Sequence, residues 1–204
     1  MISIIVMIMI FLSFATIISY NLMSLNHNLV ISNDIEQMVQ ELKIIKKKLI
    51  KSAIPILSSN DFALPLGQSF VNEHRLPLNF SISLRNNKGH YYQYCPFGVN
   101  NGSSMTAKVN QNDGSFYEVE TTEIGGVEYV VKSDSPPTNV GAPRVAAFVI
   151  SKFENVTVSC SDIKYDSDSD AFYLTTAKVM AITTDEIHSH NELDLSDTSL
   201  NLNL

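Results

Sequence analysis

The first charged residue of the chain is Asp34, and the first basic one is Lys43. Residues 1–25, MISIIVMIMIFLSFATIISYNLMSL, carry no charge at all. This run limits the possible folds more than any other feature, because so many contiguous apolar side chains must be covered by something other than water. A helix from Ile2 to Met23 spans roughly 33 Å, about the thickness of a bilayer's hydrocarbon core. Ser3, Ser13, Thr16 and Ser19 can return their hydroxyls to the helix backbone, so they do not spoil such a segment. The run therefore predicts an uncleaved transmembrane helix over 1–25. A buried helix of a soluble core and a cleaved signal peptide are the alternatives. A signal peptide normally opens on a basic segment, and none is present. Ser13-Phe14-Ala15 resembles a cleavage site, but apolar residues continue beyond it through Ile17, Ile18 and Leu22.

The next stretch has a different period. Ile31, Ile35, Met38, Leu42, Ile45 and Leu49 are spaced four, three, four, three and four apart, an apolar stripe of heptad type. Glu36, Gln37, Gln40, Glu41, Lys43, Lys46, Lys47 and Lys48 cover the other faces. The pattern predicts an amphipathic helix over 26–55. It either starts afresh with Asn33 or Asp34 as N-cap or continues the preceding helix, and it is ended by Pro55. Fewer than three full heptads favour packing of the stripe on the chain's own domain over a self-associating coiled coil.

From residue 56 to 184 the apolar residues alternate between turn signals, the pattern of strands. Candidate strands are 80–84, 90–94, 115–121, 127–132, 145–151, 156–163 and 171–183. Gly125-Gly126 and Asn86-Asn87-Lys88-Gly89 are hairpin turns. Residues 98–104 and 133–143 are loops. The tail over 185–204 has five acidic residues and no Lys or Arg, and is expected to fray. The predicted fold class is α+β: a long N-terminal helix, transmembrane and then amphipathic, followed by one small antiparallel sheet domain.

Chemistry-bearing residues are few. The chain of 204 residues has 14 Lys+Arg against 21 Asp+Glu, a net charge of −7, which argues against a nucleic-acid partner. Its two cysteines, Cys95 and Cys160, cannot build a four-thiolate zinc site. Both fall in or directly beside candidate strands of one domain and are expected to pair in an oxidising compartment. The alternative is two reduced core cysteines. Asp166, Asp168 and Asp170 have the spacing of the first three ligands of a calcium loop. Ala171 and Ala177, however, stand where that loop needs Gly and a bidentate Glu, so a solvated turn is the plainer reading. No other cofactor is expected. His188 and His190 lack a third ligand. Asn79, Asn101 and Asn155 head Asn-x-Ser/Thr triplets. No P-loop, nucleophile elbow or zinc-protease motif is present, and the chain is expected not to be an enzyme.

The order of parts resembles a type IV pilin or pseudopilin over roughly residues 1–184. Gly89-His90-Tyr91-Tyr92-Gln93-Tyr94-Cys95-Pro96 is similar to a tract of some pilin-like sequences, and Arg144 to Ser151 is similar to the core strand that follows it. Pilins carry a short basic leader, whereas Met1 stands directly at the apolar run. They usually have Glu where this chain has Ile5. The resemblance therefore implies an accessory protein of a thin-pilus system rather than a fibre subunit. The expected function is a membrane-anchored, non-enzymatic assembly component of a pilus or secretion apparatus. The alternative is a membrane-anchored extracytoplasmic binding or adhesion module. The expected partners are the membrane and proteins of the assembly. The expected location is the inner membrane, single-pass. Lys43, Lys46, Lys47, Lys48 and Lys51 favour a cytoplasmic C-terminal part, but the expected disulfide outweighs them and places the domain outside the cytoplasm.

Overall fold

The computed structural model describes residues 2–56, 62–70, 73–78, 81–98, 107–111, 115–133 and 144–190; within the first helix, side chains are described at 7, 13–23 and from 30 onward. The chain divides into two compact units, Met1–Gln37 and Met38–Leu204.

The first unit is helical. Helix α1 runs Ile2–Lys51 without a break at Asn33 or Asp34, so neither residue caps a second helix. The expected transmembrane segment over 1–25 is corrected here: among the described residues, no helix is long and apolar enough to cross a membrane. Over 13–23 the apolar residues are interrupted by Ser13, Thr16, Ser19 and Asn21, and the Thr16 hydroxyl donates to the Ser13 carbonyl at 2.8 Å. The side chains of 1–6, 8–12 and 24–29, which carried the rest of that expectation, lie outside the described residues.

The second unit contains twelve described strands, all paired antiparallel. One sheet joins β1 (Ile54–Pro55), β2 (Phe62–Pro65), β8 (Val127–Ser133), β7 (Phe116–Ile124) and β6 (Ala107–Asn110), in that order. A second joins β12 (Ala177–Thr183), β9 (Val145–Lys152), β5 (Gln93–Pro96), β4 (His74–Arg75) and β3 (Gln68–Ser69). β10 (Lys164–Asp166) and β11 (Ala171–Tyr173) form a separate ribbon. The single small sheet of the sequence reading is thus replaced by two five-stranded sheets and a ribbon. The missed strands are two to four residues long, too short for alternation to register, and β1, β2 and β3 also contain or adjoin Pro55, Pro65 and Gly67.

Several sequence features act as expected. Gly125 and Gly126 both have positive φ, 63° and 79°, and close the β7–β8 hairpin. A two-residue turn of this hand matches the twist of its strands. Val145–Lys152 is a strand buried along its whole length. By contrast, 156–163 is not a strand: Val156 to Ser159 is irregular and Cys160–Asp162 is a 3₁₀ turn. Ser159 caps that turn, accepting from Ser161 N, while the Asp162 carboxylate accepts from Ser159 N at 2.9 Å. These local side-chain bonds compete with a ladder for the backbone. The region 171–183 is two strands, broken at 174–176. Of the predicted strand 80–84, residue 80 lies outside the described residues and 81–84 is irregular. The loops 98–104 and 133–143 lie almost wholly outside them, as do Asn79 and Asn101.

Two cores form on the two faces of the second sheet. Phe148 and Ile150 of β9, with Cys95, pack with Val109, Tyr117, Val119 and Val130 of the first sheet. Ala147 and Val149, with Tyr92 and Tyr94, pack with Leu42, Ile45, Leu49 and Ile50 of α1. The alternation of strand side chains sends neighbours of β9 and β5 into different cores. The stripe thus divides. Met38, Leu42, Ile45 and Leu49 are buried within the second unit. Ile31 and Ile35 belong to the first unit, where Ile31 is 44% exposed.

Residues 184–190 are helical, and 191–204 lie outside the described residues. Thr183 and Glu186 form a capping box at the start of this turn: Glu186 Oε2 accepts from Thr183 N at 3.0 Å, and Thr183 Oγ1 accepts from Glu186 N at 3.3 Å. Lys46 of α1 pairs with Glu186 Oε1 at 2.5 Å. Burial pushes the Glu186 carboxyl up, but Lys46 and Thr183 together outweigh it and hold the group below its ordinary value.

Because Leu42 is fully buried in the chain's own core, Leu42→Ala should lower stability by about 3 kcal/mol in urea unfolding, whereas Ile31→Ala should stay within about 0.5 kcal/mol. Equal small effects would mean that the whole stripe acts on another molecule.

Candidate functional site

The two cysteines are bridged. Cys95, in the middle of β5, meets Cys160 at the start of the 3₁₀ turn, with Cα atoms 6.0 Å apart. Both are buried in the core between the sheets. The bridge spans 65 residues of sequence, and closing a loop of that size contributes about 4 kcal/mol in the chain-entropy account. It holds the irregular segment around Cys160 to a central strand, a place where no ladder does so.

The three aspartates do not converge on a common point. Residues 167–170 form the turn between β10 and β11. Asp166 accepts from Asp168 N at 3.1 Å and from the Ser169 hydroxyl at 2.7 Å. The Ser169 bond, above all, holds the Asp166 carboxyl below its ordinary range. Asp170 accepts from the Tyr165 hydroxyl at 2.6 Å. Two of the three carboxylates thus build the turn itself, and among the described residues no group of three His, Cys, Asp or Glu side chains is placed to hold a metal.

Other polar residues emerge only in three dimensions. Asn86, read as a turn residue, is buried and works in two directions. Its Oδ1 accepts from Lys88 N and His90 N, both at 3.0 Å. Its Nδ2 donates to Ser151 Oγ at 3.0 Å and to the Lys152 carbonyl at 2.8 Å. The turn is thereby fastened to β9. Nearby, the Arg75 guanidinium lies 4.0 Å from the Phe70 ring centre and 3.4 Å from that of Tyr91. Arg85 lies 4.0 Å from the Tyr91 ring and donates to its hydroxyl at 2.8 Å. That bond, more than any other influence, holds the Tyr91 phenol below its ordinary value. Arg75 is also paired with Glu73, so the stack braces β4 against the 85–91 turn. Neither arginine belongs to a spacing pattern that a sequence would reveal.

His74 is fully buried in β4. Its Nδ1 accepts from the hydroxyl of Ser69, the residue opposite it on β3, at 2.9 Å. Its Nε2 meets the Leu66 carbonyl, which assigns the ring proton to Nε2, since a carbonyl only accepts. The ring stacks on Tyr94 at 6.1 Å. Space here is tight: a Cβ on Gly67, at φ +88°, would fall 2.5 Å from the Arg75 carbonyl and 3.0 Å from His74 Nε2. Burial lowers the His74 pKa from 6.5 to about 4, with the Leu66 bond opposing. The pair resembles a nucleophile and base, but its imidazole is sealed in and poorly suited to take up a proton.

No family model, curated protein or solved structure matches the chain. With no spanning helix among the described residues and no matching assembly or adhesion protein, several expectations are withdrawn. These are the membrane-anchored pilus or secretion component, the anchored adhesion module, the membrane partner and the single-pass inner-membrane location. The apolar run suggested all of them through one property, total hydrophobicity, which does not distinguish lipid from another apolar partner.

Two outcomes follow from these geometries. Cys160→Ser should lower stability by about 4 kcal/mol, read as a shifted urea midpoint that reduction of the wild type reproduces. For His74, the unfolded chain binds the proton more tightly than the folded one. Stability is therefore complete above pH 6.5 and falls as pH drops toward 4, by about 3 kcal/mol in total. His74→Gln should flatten that segment of the pH–stability curve, and an unchanged slope would show that His74 titrates normally.

Proposed function

We propose that the protein acts by association and not by turnover, through the apolar side chains of the helix in its first unit. One observation carries the reading. Phe14, Ile17, Ile18, Tyr20, Leu22 and Met23 are all more than half exposed, Tyr20 and Met23 by 76% and 78%, and no charge interrupts residues 13–23. At about 100° per residue these side chains point to all sides of the helix, and exposed apolar side chains concentrated on one short segment mark a contact site. The simplest occupant is the same segment on a second copy. An uncharged segment meets its own image without like-charge repulsion, and a two-fold contact pairs the same residues of each copy. The absence of turnover is supported by what the buried ionisable groups do. His74 locks the β3–β4 hairpin, and the Tyr92 hydroxyl donates to Glu41 at 2.6 Å, joining α1 to the second sheet's core. Burial, then the Glu41 bond, raises the Tyr92 pKa.

Light scattering coupled to gel filtration tests the reading. The full chain should elute above monomer mass. The double variant Ile17→Asp, Ile18→Asp should run as a monomer with an unchanged β-sheet circular dichroism spectrum. A monomeric wild type, or recovery with phosphatidylglycerol vesicles at monomer mass, would overturn it.

A further inference from the structure

A cleft of about 350 Å³ lies where the 3₁₀ turn faces the β10–β11 ribbon and the 174–176 break. We infer that this cleft is a binding site for a neutral saccharide, with the Tyr173 ring as its platform and Asp162 and Lys164 as its polar contacts.

Lys164 and Tyr173 are directly opposed partners of β10 and β11. Opposed residues place their side chains on one face, with Cβ atoms roughly 5 Å apart. Tyr173 is 45% exposed although it sits in a paired strand. Its ring therefore offers an apolar plane beside a polar tip. Both residues line the cleft, as do Asp162, Thr175 and Thr176. The Asp162 carboxylate is held in place, because one oxygen, Oδ2, accepts from Ser159 N at 2.9 Å. Its other oxygen has no partner among the described residues.

The walls are also anchored. Cys160, adjoining Ser161, is tied by the bridge to β5. Leu174 packs against the core between the sheets. A site on such supports loses little ordering entropy when it binds. The chemistry of the lining then selects the ligand. A pyranose presents an apolar C–H face and a rim of hydroxyls. The aromatic plane fits the first. A carboxylate that accepts, an ammonium that donates and two threonine hydroxyls fit the second. The one cation and one anion of the lining cancel, so no phosphate or strongly acidic ligand is favoured. This inference is independent of the helix contact, which involves residues of the other unit.

Saturation-transfer NMR on the full chain tests it, with the methyl glycosides of glucose, galactose and N-acetylglucosamine as probes at millimolar concentration. At least one sugar should receive saturation at its ring C–H protons. Tyr173→Ala should weaken that binding about tenfold or more, and Phe70→Ala, an exposed ring elsewhere, should leave it unchanged. Asp162→Asn keeps an acceptor for Ser159 N–H and should weaken binding in the same direction, so the test does not depend on one variant's folding. Saturation of none of the three sugars, or equal saturation in both folded cleft variants, would overturn the inference.

Discussion

Strand β9 is buried on both faces, and the second unit is organised around that fact. A strand covered on one side only needs apolar residues at alternate positions. Val145-Ala146-Ala147-Phe148-Val149-Ile150 is apolar at every one. Its larger side chains, Phe148 and Ile150, face the first sheet, and its smaller ones, Ala147 and Val149, face the helix. The small residues let α1 approach closely with Leu42, Ile45 and Leu49, and the large ones fill the wider gap between sheets. Phe148 is the centre of an aromatic set, 5.9 Å from Phe97 and 4.9 Å from Phe172. Removing either layer would leave β9 with an apolar face in water, so the two cores stabilise each other.

Where the ladders give out, polar bonds and the disulfide hold the chain. Asn86 fastens the 86–89 turn to β9. Tyr117 donates to the Pro96 carbonyl at 2.7 Å and so links β7 of one sheet to β5 of the other. Glu186 joins the C-terminal helical turn to Lys46 of α1. The Cys95–Cys160 bridge secures a segment whose own serines and aspartate keep it out of a strand. These groups are buried or half-buried, where an unmade hydrogen bond costs most. The same logic accounts for His74, whose position resembles a catalytic pair while its two bonds and its burial suit it to bracing a hairpin.

The functional readings follow from what the fold leaves uncovered. The buried half of the heptad stripe is used up inside the second unit, so it is not free to recruit a partner. The exposed apolar residues over 14–23 and the polar cleft beside Tyr173 are surfaces that folding has not consumed. One is apolar and uncharged, the other amphipathic and anchored.

By itself, the sequence determined the features that rest on nearest neighbours. The helix stripe, the strand at 145–151, the Gly125-Gly126 turn and the existence of a turn within 166–170 were all legible. Each depends on periodicity or on backbone freedom within a few residues. Tertiary structure alone decided the rest. It decided that the stripe meets its own sheet at Leu42 and stays exposed at Ile31, because burial is a property of what lies opposite. It decided that 156–163 is not a strand, because Ser159 and Asp162 bind the backbone that a ladder would need. It made two sheets from strands as short as β3 and β4, which carry too few residues to show a period. Finally, it brought Asp162, Lys164 and Tyr173 to one cleft. No spacing in the chain encodes that meeting, since it arises from the ribbon's register and from the turn that the bridge holds in place.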